Sequence, residues 1–268
     1  MKILKPIVGG HDGSSFREML DIWKERKFCE VVDGPTPANK SLHFSQHPEA
    51  RPWINEVGDI MLYDNPILDK LNEDLHWRFA LWSNEVKKDD GSPWVFWTKH
   101  PKVMEAIKSQ LRRSWDERPI SSSFIGTYTT GLRGQQDWSS VIEKFWMGGH
   151  SERIMSHPDY LNFLSHSKFG LCLPGVGPKC LRDVELMGVG TVPIFTPGCS
   201  LEYFEPPVHG INCFVVSSPQ EFVDVVGSCG KEKWSDMSNA SIEWFERNCS
   251  GQGSFDTTVK ILTKFGVM

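Results

Sequence analysis

Lys168-Phe-Gly-Leu-Cys-Leu-Pro-Gly-Val-Gly-Pro-Lys-Cys-Leu-Arg-Asp-Val-Glu-Leu-Met-Gly-Val-Gly-Thr-Val-Pro-Ile-Phe195 is the stretch that decides the fold class. Phe169 to Leu173 is a short apolar run, the pattern of a parallel strand buried on both faces. Pro174, Gly175 and Gly177 follow as a loop where backbone can approach a ligand closely. Pro178 suits a first helical position, because the N–H it lacks would have no partner inside the helix. Gly188 and Gly190 stop the helix, and Val192 to Phe195 starts another strand. The unit reads strand–loop–helix–strand. A glycine loop opening a helix gathers free N–H groups and the positive end of the helix dipole at one point, and that point suits a phosphate.

At about 100° per residue, Cys180, Val184 and Met187 share one helical face, with Leu181 at its edge. Arg182 projects opposite them, flanked by Glu185 and Leu186. This phase makes Arg182 and Glu185 outward-facing ligand candidates, on a side that Leu186 marks as covered by a ligand or another domain. The alternative is a solvated Arg–Glu pair at i,i+3, which stabilises a helix by only ~0.2–0.5 kcal/mol.

Outward from this unit the same alternation continues. Ile3 to Val8 reads as a first strand, followed by the loop His11-Asp12-Gly13-Ser14-Ser15 and a helix over Phe16 to Lys27. Cys29 to Val32 is a strand, Asp33 to Arg51 a long loop, and Asp59 to Tyr63 a strand. Phe79 to Trp82 and Trp94 to Trp97 are short aromatic strands, and Val103 to Trp115 is helical. Asp116-Glu-Arg-Pro119 reads as a linker. Ser122 to Tyr128 then begins a strand, with a helix expected from Trp138 to Trp146 and another from Tyr160 to Ser165. Cys213 to Val216 is a strand, and Ser217-Ser218 caps a helix over Pro219 to Val226. Strands alternating with helices twice over predict two doubly wound α/β domains with parallel sheets. Their expected extents are 1–118 and 119–268, with the last helix packing back on the first domain. In such sheets ligands lie at the carboxyl ends of strands.

The bulk properties agree with this class. The chain has 268 residues, more than one comfortable domain, and 39% hydrophobic residues fill two cores. A net charge of −5 argues against a nucleic-acid-binding role. No apolar run is long enough for a membrane span. The seven cysteines contain no CxxC, which points to a reducing, cytoplasmic setting. His43 and His47 have i,i+4 spacing but no helical context and no third ligand, so no metal site is expected.

Ser167-Lys-Phe-Gly-Leu-Cys-Leu-Pro-Gly175, Arg182-x-x-Glu185 and Gly190-Thr-Val-Pro-Ile194 together resemble the nucleotide-sugar-binding half of exostosin-like glycosyltransferases. The resemblance covers roughly 160–226, weakens over 121–145, and does not extend to residues 1–118. It is closest to the compact exostosin-like enzymes of large algal (chlorella) viruses, which work without the membrane anchor of the larger exostosins. The resemblance implies a GT-B architecture, two Rossmann-like domains facing a cleft, with the acceptor in the N-terminal one and the donor in the C-terminal one. It also implies inverting transfer from a UDP-sugar, xylose first, to a hydroxyl of a glycan, with no obligatory metal or other cofactor.

Without a metal, the leaving diphosphate must be neutralised by the loop amides at Gly175 and Gly177, the helix N-terminus, Lys179 and Arg182. Arg133, in Gly131-Leu-Arg-Gly134, matches the position of a family arginine that meets the diphosphate. Glu185 would accept from ribose hydroxyls, and Tyr128 would stack on the uracil. Related two-domain transferases often hold their base in the loop after the first strand. Asp12 is the candidate base, with His11 as alternative base or orienting partner; Asp64 and Glu85 are in reserve. Some of Trp53, Trp77, Trp82, Trp94 and Trp97 are candidates to stack on sugar, the rest being core. A second class of function is a non-catalytic nucleotide-sugar or carbohydrate-binding module. A third, a nucleotide-dependent oxidoreductase, is disfavoured because the first loop lacks GxGxxG.

Overall fold

The structure, a computed structural model, describes residues 2–4, 13–32, 42–45, 60–64, 79–83, 92–93, 97–127, 137–148, 155–175 and 179–264. The chain divides into two compact units. One is Met1–Lys102 with Glu202–Glu205 and Arg247–Met268; the other is Val103–Leu201 with Pro206–Glu246.

In the first unit, β1 is Lys2–Leu4, α1 Gly13–Glu25, β2 Glu30–Val32, β3 Leu42–Ser45, β4 Ile60–Asp64, β5 Phe79–Ser83 and β6 Ser92–Pro93. They form a six-stranded sheet in the order β2-β1-β3-β4-β5-β6. β1 to β4 pair in parallel, but β5 and β6 pair antiparallel. The sheet is therefore mixed, not wholly parallel as its alternation suggested. Antiparallel neighbours need no crossover helix, so the short spacing between β5 and β6 was the signal for a reversal. β3 lies inside the segment expected to be loop; four residues among Pro, Ser and Asn are too few to show a period. Trp97 stands outside any strand. α1 buries Met19, Leu20, Ile22 and Trp23. Trp23 Nε1 donates to Ser254 Oγ of the C-terminal helix Gly251–Lys264 at 3.1 Å.

The second unit opens with most of α2, Pro101–Leu111, followed by β7 Ile120–Thr127, β8 Lys144–Gly148 and α3 His157–Ser165. β9 Ser167–Cys172, α4 Leu181–Gly188 and β10 Val192–Phe195 come next. β11 Phe214–Val215, α5 Pro219–Ser228 and α6 Lys231–Asn248 complete it. The sheet order is β11-β10-β9-β7-β8, and every pairing is parallel. All strands of β9 and β10 are buried on both faces except at Lys168, which is why they read as unbroken apolar runs. Ser218 caps α5 through the amide of Glu221.

Two local expectations change here. Trp138 to Trp146 is not a helix: Ser139–Val141 is a turn, and Lys144–Gly148 is β8. Trp138 and Ile142 share an i,i+4 spacing, yet both are buried in the sheet core with Phe124 and Phe169. Phe145 pairs with Phe124 across the parallel ladder, their rings stacked at 5.1 Å. The second change is that α4 begins at Leu181, with Cys180 as its cap, rather than at Pro178.

Arg118, in the polar segment read as a linker, is only 1% exposed. Its Nε donates to Arg113 O at 3.0 Å, Nη1 to Ser167 O at 2.9 Å and Thr191 Oγ1 at 2.8 Å, and Nη2 to Val189 O at 2.8 Å. It lies over the Trp234 ring at 5.0 Å. One side chain thus ties together the amino ends of β7 and β9, the α4–β10 turn and α6.

Candidate functional site

In the second sheet the chain leaves β7 toward β8 and then returns to build β9, β10 and β11 on the other side. The direction of winding reverses between β7 and β9. In doubly wound sheets the carboxyl ends of the strands at such a reversal flank the ligand crevice. β7 ends at Thr127 and β9 at Cys172, and α4 starts just beyond β9.

α4 is buried on all sides: Val184, Leu186 and Met187 are at 1% exposure or less, and Arg182, Asp183 and Glu185 are buried with them. Leu186 packs on Gly170 of β9, where a Cβ would collide with its isobutyl group. The side that phase analysis took as outward is therefore the side that meets the sheet. The reason is that a helix covered all round carries no hydrophilic stripe to set the phase. At its start, the Cys180 amide donates to Asp183 Oδ2 at 2.9 Å, so Asp183 fixes the first turn three residues later than Pro178 would. At its end, Thr191 N donates to Leu186 O at 2.9 Å and Gly190 N to Met187 O at 3.1 Å. Gly190 stands at φ +73, the left-handed geometry that this double closure requires.

Arg182 is 7% exposed. Its Nε donates to Ile125 O of β7 at 2.9 Å, and its guanidinium lies over the Phe124 ring at 4.3 Å. Gly126 leaves it room, since a Cβ there would stand 2.6 Å from Nη2. Among the described residues, no hydrogen-bond acceptor reaches buried Nη1. Glu185, on the next turn, is 2% exposed. His157 Nε2 of α3 lies 3.7 Å from Glu185 Oε1. One turn along α3, burial first and the Glu185 charge second push the Tyr160 pKa well above the ordinary value. Its hydroxyl therefore stays protonated. Lys179 is also buried, at 1% exposure, and Gly175 is half-buried.

Cys172 lies at the end of β9, and burial raises its thiol pKa well above the usual value. Cys199, whose Sγ points at Cys172 O at 3.3 Å, is raised by burial too. These thiols are packing groups rather than nucleophiles.

The structure thus brings together Lys179, Arg182 and Glu185 of the predicted set around the start of α4. Tyr128, Arg133, Gly177, His11, Asp12 and Glu85 lie outside the described residues, as do Trp53, Trp77, Trp94 and His47. Asp64 ends β4 and His43 lies in β3. The residues that sequence reasoning missed are His157, Tyr160, Phe124, Gly126 and Asp183. Only Asp183 had a local signal, an acidic residue three positions after a helix cap.

No protein-family model matches the chain, and no curated protein sequence matches it. Solved structures do. A glycosyltransferase from Rickettsia africae aligns with a TM-score of 0.51 at 8% identity, over 98% of this chain and 97% of its own. HepE from Anabaena in complex with UDP-glucose aligns with a TM-score of 0.52 at 11% identity, over 100% of both chains. HepE with UDP and glucose gives 0.52 at 10% identity, over 98% of this chain and 100% of its own. The fold is α/β, of the GT-B type that these glycosyltransferases have.

Proposed function

We propose that this chain is a glycosyltransferase that moves a sugar from a UDP-sugar to a glycan hydroxyl. The observation that carries the reading is Arg182. A buried cation is normally paired, yet Nη1 of this one has no acceptor among the described residues. It lies at the carboxyl ends of β7 and β9, beside a helix N-terminus. An anion seated there would gain a charge-assisted hydrogen bond in a low dielectric. A UDP diphosphate fits that requirement, and HepE, of the same fold, was crystallised with UDP-glucose.

In this reading the acceptor oxygen attacks the anomeric carbon as the bond from that carbon to the UDP oxygen breaks. The acceptor proton passes to Asp12, or to His11, and the bonding electrons leave with UDP. Arg182, Arg133, Lys179 and the amides of Gly175 and Gly177 stabilise the diphosphate as its charge grows. Glu185 accepts from the ribose, and Tyr128 stacks on the uracil. Inversion, independence from metals and xylose as the transferred sugar follow from the resemblance to the compact exostosin-like viral enzymes. UDP-glucose is the other donor to be offered first.

The test is UDP release over a panel of UDP-sugars and glycan acceptors, with UDP binding followed by calorimetry. Arg182→Ala should weaken UDP binding about a hundredfold. Asp12→Ala should keep UDP binding and lose transfer; full activity in that variant refutes the base assignment. UDP binding without turnover on any acceptor would favour a non-catalytic nucleotide-sugar-binding module instead. Absence of UDP binding would refute both.

A further inference from the structure

Three consecutive residues of β7 meet the Arg182 guanidinium, each in a different way. Ile125 O accepts from Nε at 2.9 Å. The Phe124 ring turns its face to the group, with the central guanidinium carbon 4.3 Å from the ring centroid. Gly126 presents no side chain; a Cβ there would stand 2.6 Å from Nη2 and 3.0 Å from Phe124 Cζ. The ring itself is held. Phe124 is fully buried, and Phe145, its register partner on β8, stacks against it at 5.1 Å with the planes 20° apart. The Phe124 ring therefore cannot tip without moving a second aromatic of the neighbouring strand.

We propose that Phe124 is a positioning residue that holds Arg182 in place with its Nη1 open to an anion. A buried cation needs an electrostatic partner. A carboxylate would supply one, but it would also occupy N–H donors and cancel the charge. The negative face of an aromatic ring attracts the cation and leaves the N–H groups at its rim unused. Ile125 O takes Nε and so fixes the rotation of the planar group. Nη1 is left buried, without an acceptor among the described residues. Arg182 is only 7% exposed, so an anion that reaches Nη1 meets a donor already desolvated and already oriented. The ligand chemistry that fits is a phosphoryl oxygen of a diphosphate. This inference rests on the donor-site reading given above and adds what holds the arginine ready.

Phe124→Leu removes the ring and keeps an apolar side chain. Replacing Phe124 by trifluorophenylalanine keeps the ring's shape and withdraws negative charge from its face. Binding of UDP and of inorganic pyrophosphate is measured by titration calorimetry, on variants that circular dichroism shows to be folded at the assay temperature. With the ring gone, Arg182 spends less time in the competent orientation, and the dissociation constant rises in proportion. The expected rise is about three- to thirtyfold for Phe124→Leu, the range of a cation–π contact, with the fluorinated ring in between. If Phe124→Leu does not fold, the fluorinated ring carries the comparison by itself. In an Arg182→Ala background neither replacement should weaken binding further. A merely structural phenylalanine would give a loss that ignores ring electronics and persists without Arg182. Unchanged affinity in Phe124→Leu, equal affinity with native and fluorinated rings, or an additive loss in the double variant overturns the proposal. If the unmodified protein binds pyrophosphate through Arg182 but not UDP, the donor reading falls, and the same comparisons made with pyrophosphate decide the role of Phe124. Binding of neither anion overturns both.

Discussion

Replacing Arg118 with methionine keeps the length of the side chain and deletes the guanidinium. Four hydrogen bonds disappear, to Arg113 O, Ser167 O, Thr191 Oγ1 and Val189 O. They are not equal losses. Thr191 Oγ1 carries one hydrogen, directed chiefly to Leu164 O at 2.7 Å and shared with Ser167 O at 3.2 Å, so Ser167 O keeps a weaker donor. Arg113 O lies in a part-buried bond and can turn to water. Val189 O sits in a buried bond and loses its donor outright. One orphaned buried carbonyl costs about 1–3 kcal/mol, and the lost contact with the Trp234 face about 0.5–2 kcal/mol. Methionine returns some apolar contact. The net is roughly 2–4 kcal/mol, a lowering of the midpoint by about 5–15 °C for a unit of this size. Trp234 packs against the deleted group, so tryptophan fluorescence in a urea titration reports the transition directly. Arg118→Lys should recover less than half of the loss, because one ammonium cannot span acceptors on three elements. UDP affinity of the folded protein should not change in either variant. A methionine variant within about 0.5 kcal/mol of the unmodified protein would refute the clamp.

Three further outcomes follow from the geometry. Gly126→Ala places a methyl 2.6 Å from Arg182 Nη2; the flexible guanidinium should swing off Phe124, costing about 1 kcal/mol of stability but about tenfold in UDP affinity by calorimetry. In the native protein Cys172 and Cys249, held well above the usual thiol range by burial, should resist iodoacetamide at neutral pH and react only on unfolding, as peptide mass spectrometry would show. Glu246 is opposed by burial, but hydrogen bonds from Lys108 and Arg112 outweigh it and hold its pKa below 4.5. Its depressed pKa contributes stability above that value and loses it as pH falls through the folded pKa. The urea-midpoint gap between the unmodified protein and Glu246→Gln should therefore shrink from about pH 7 to about pH 3.

The order of elements from β9 to β10 was legible because each boundary has a local cause. Pro174 and Gly175 break the strand, and Gly190 closes α4 in a backbone geometry that only glycine adopts cheaply. The Ser218 cap and α5 were legible for the same reason. The aromatic turn at Trp138–Trp146 was not, because i,i+4 spacing is shared by a helix and by a turn leading into a buried strand. The mixed first sheet was not either, since pairing direction is a property of two segments and not of one.

Residue chemistry marked Arg182 and Glu185 as ligand candidates, and that much belongs to the sequence alone. Their direction does not. α4 is covered on every side, so its phase carries no record of which face meets β7. Only the folded chain brings Phe124, Ile125 and Gly126 beneath the guanidinium, and His157 and Tyr160 beside the carboxylate. Those contacts join residues about 25 to 60 positions apart, a span over which no local pattern acts and tertiary packing alone decides.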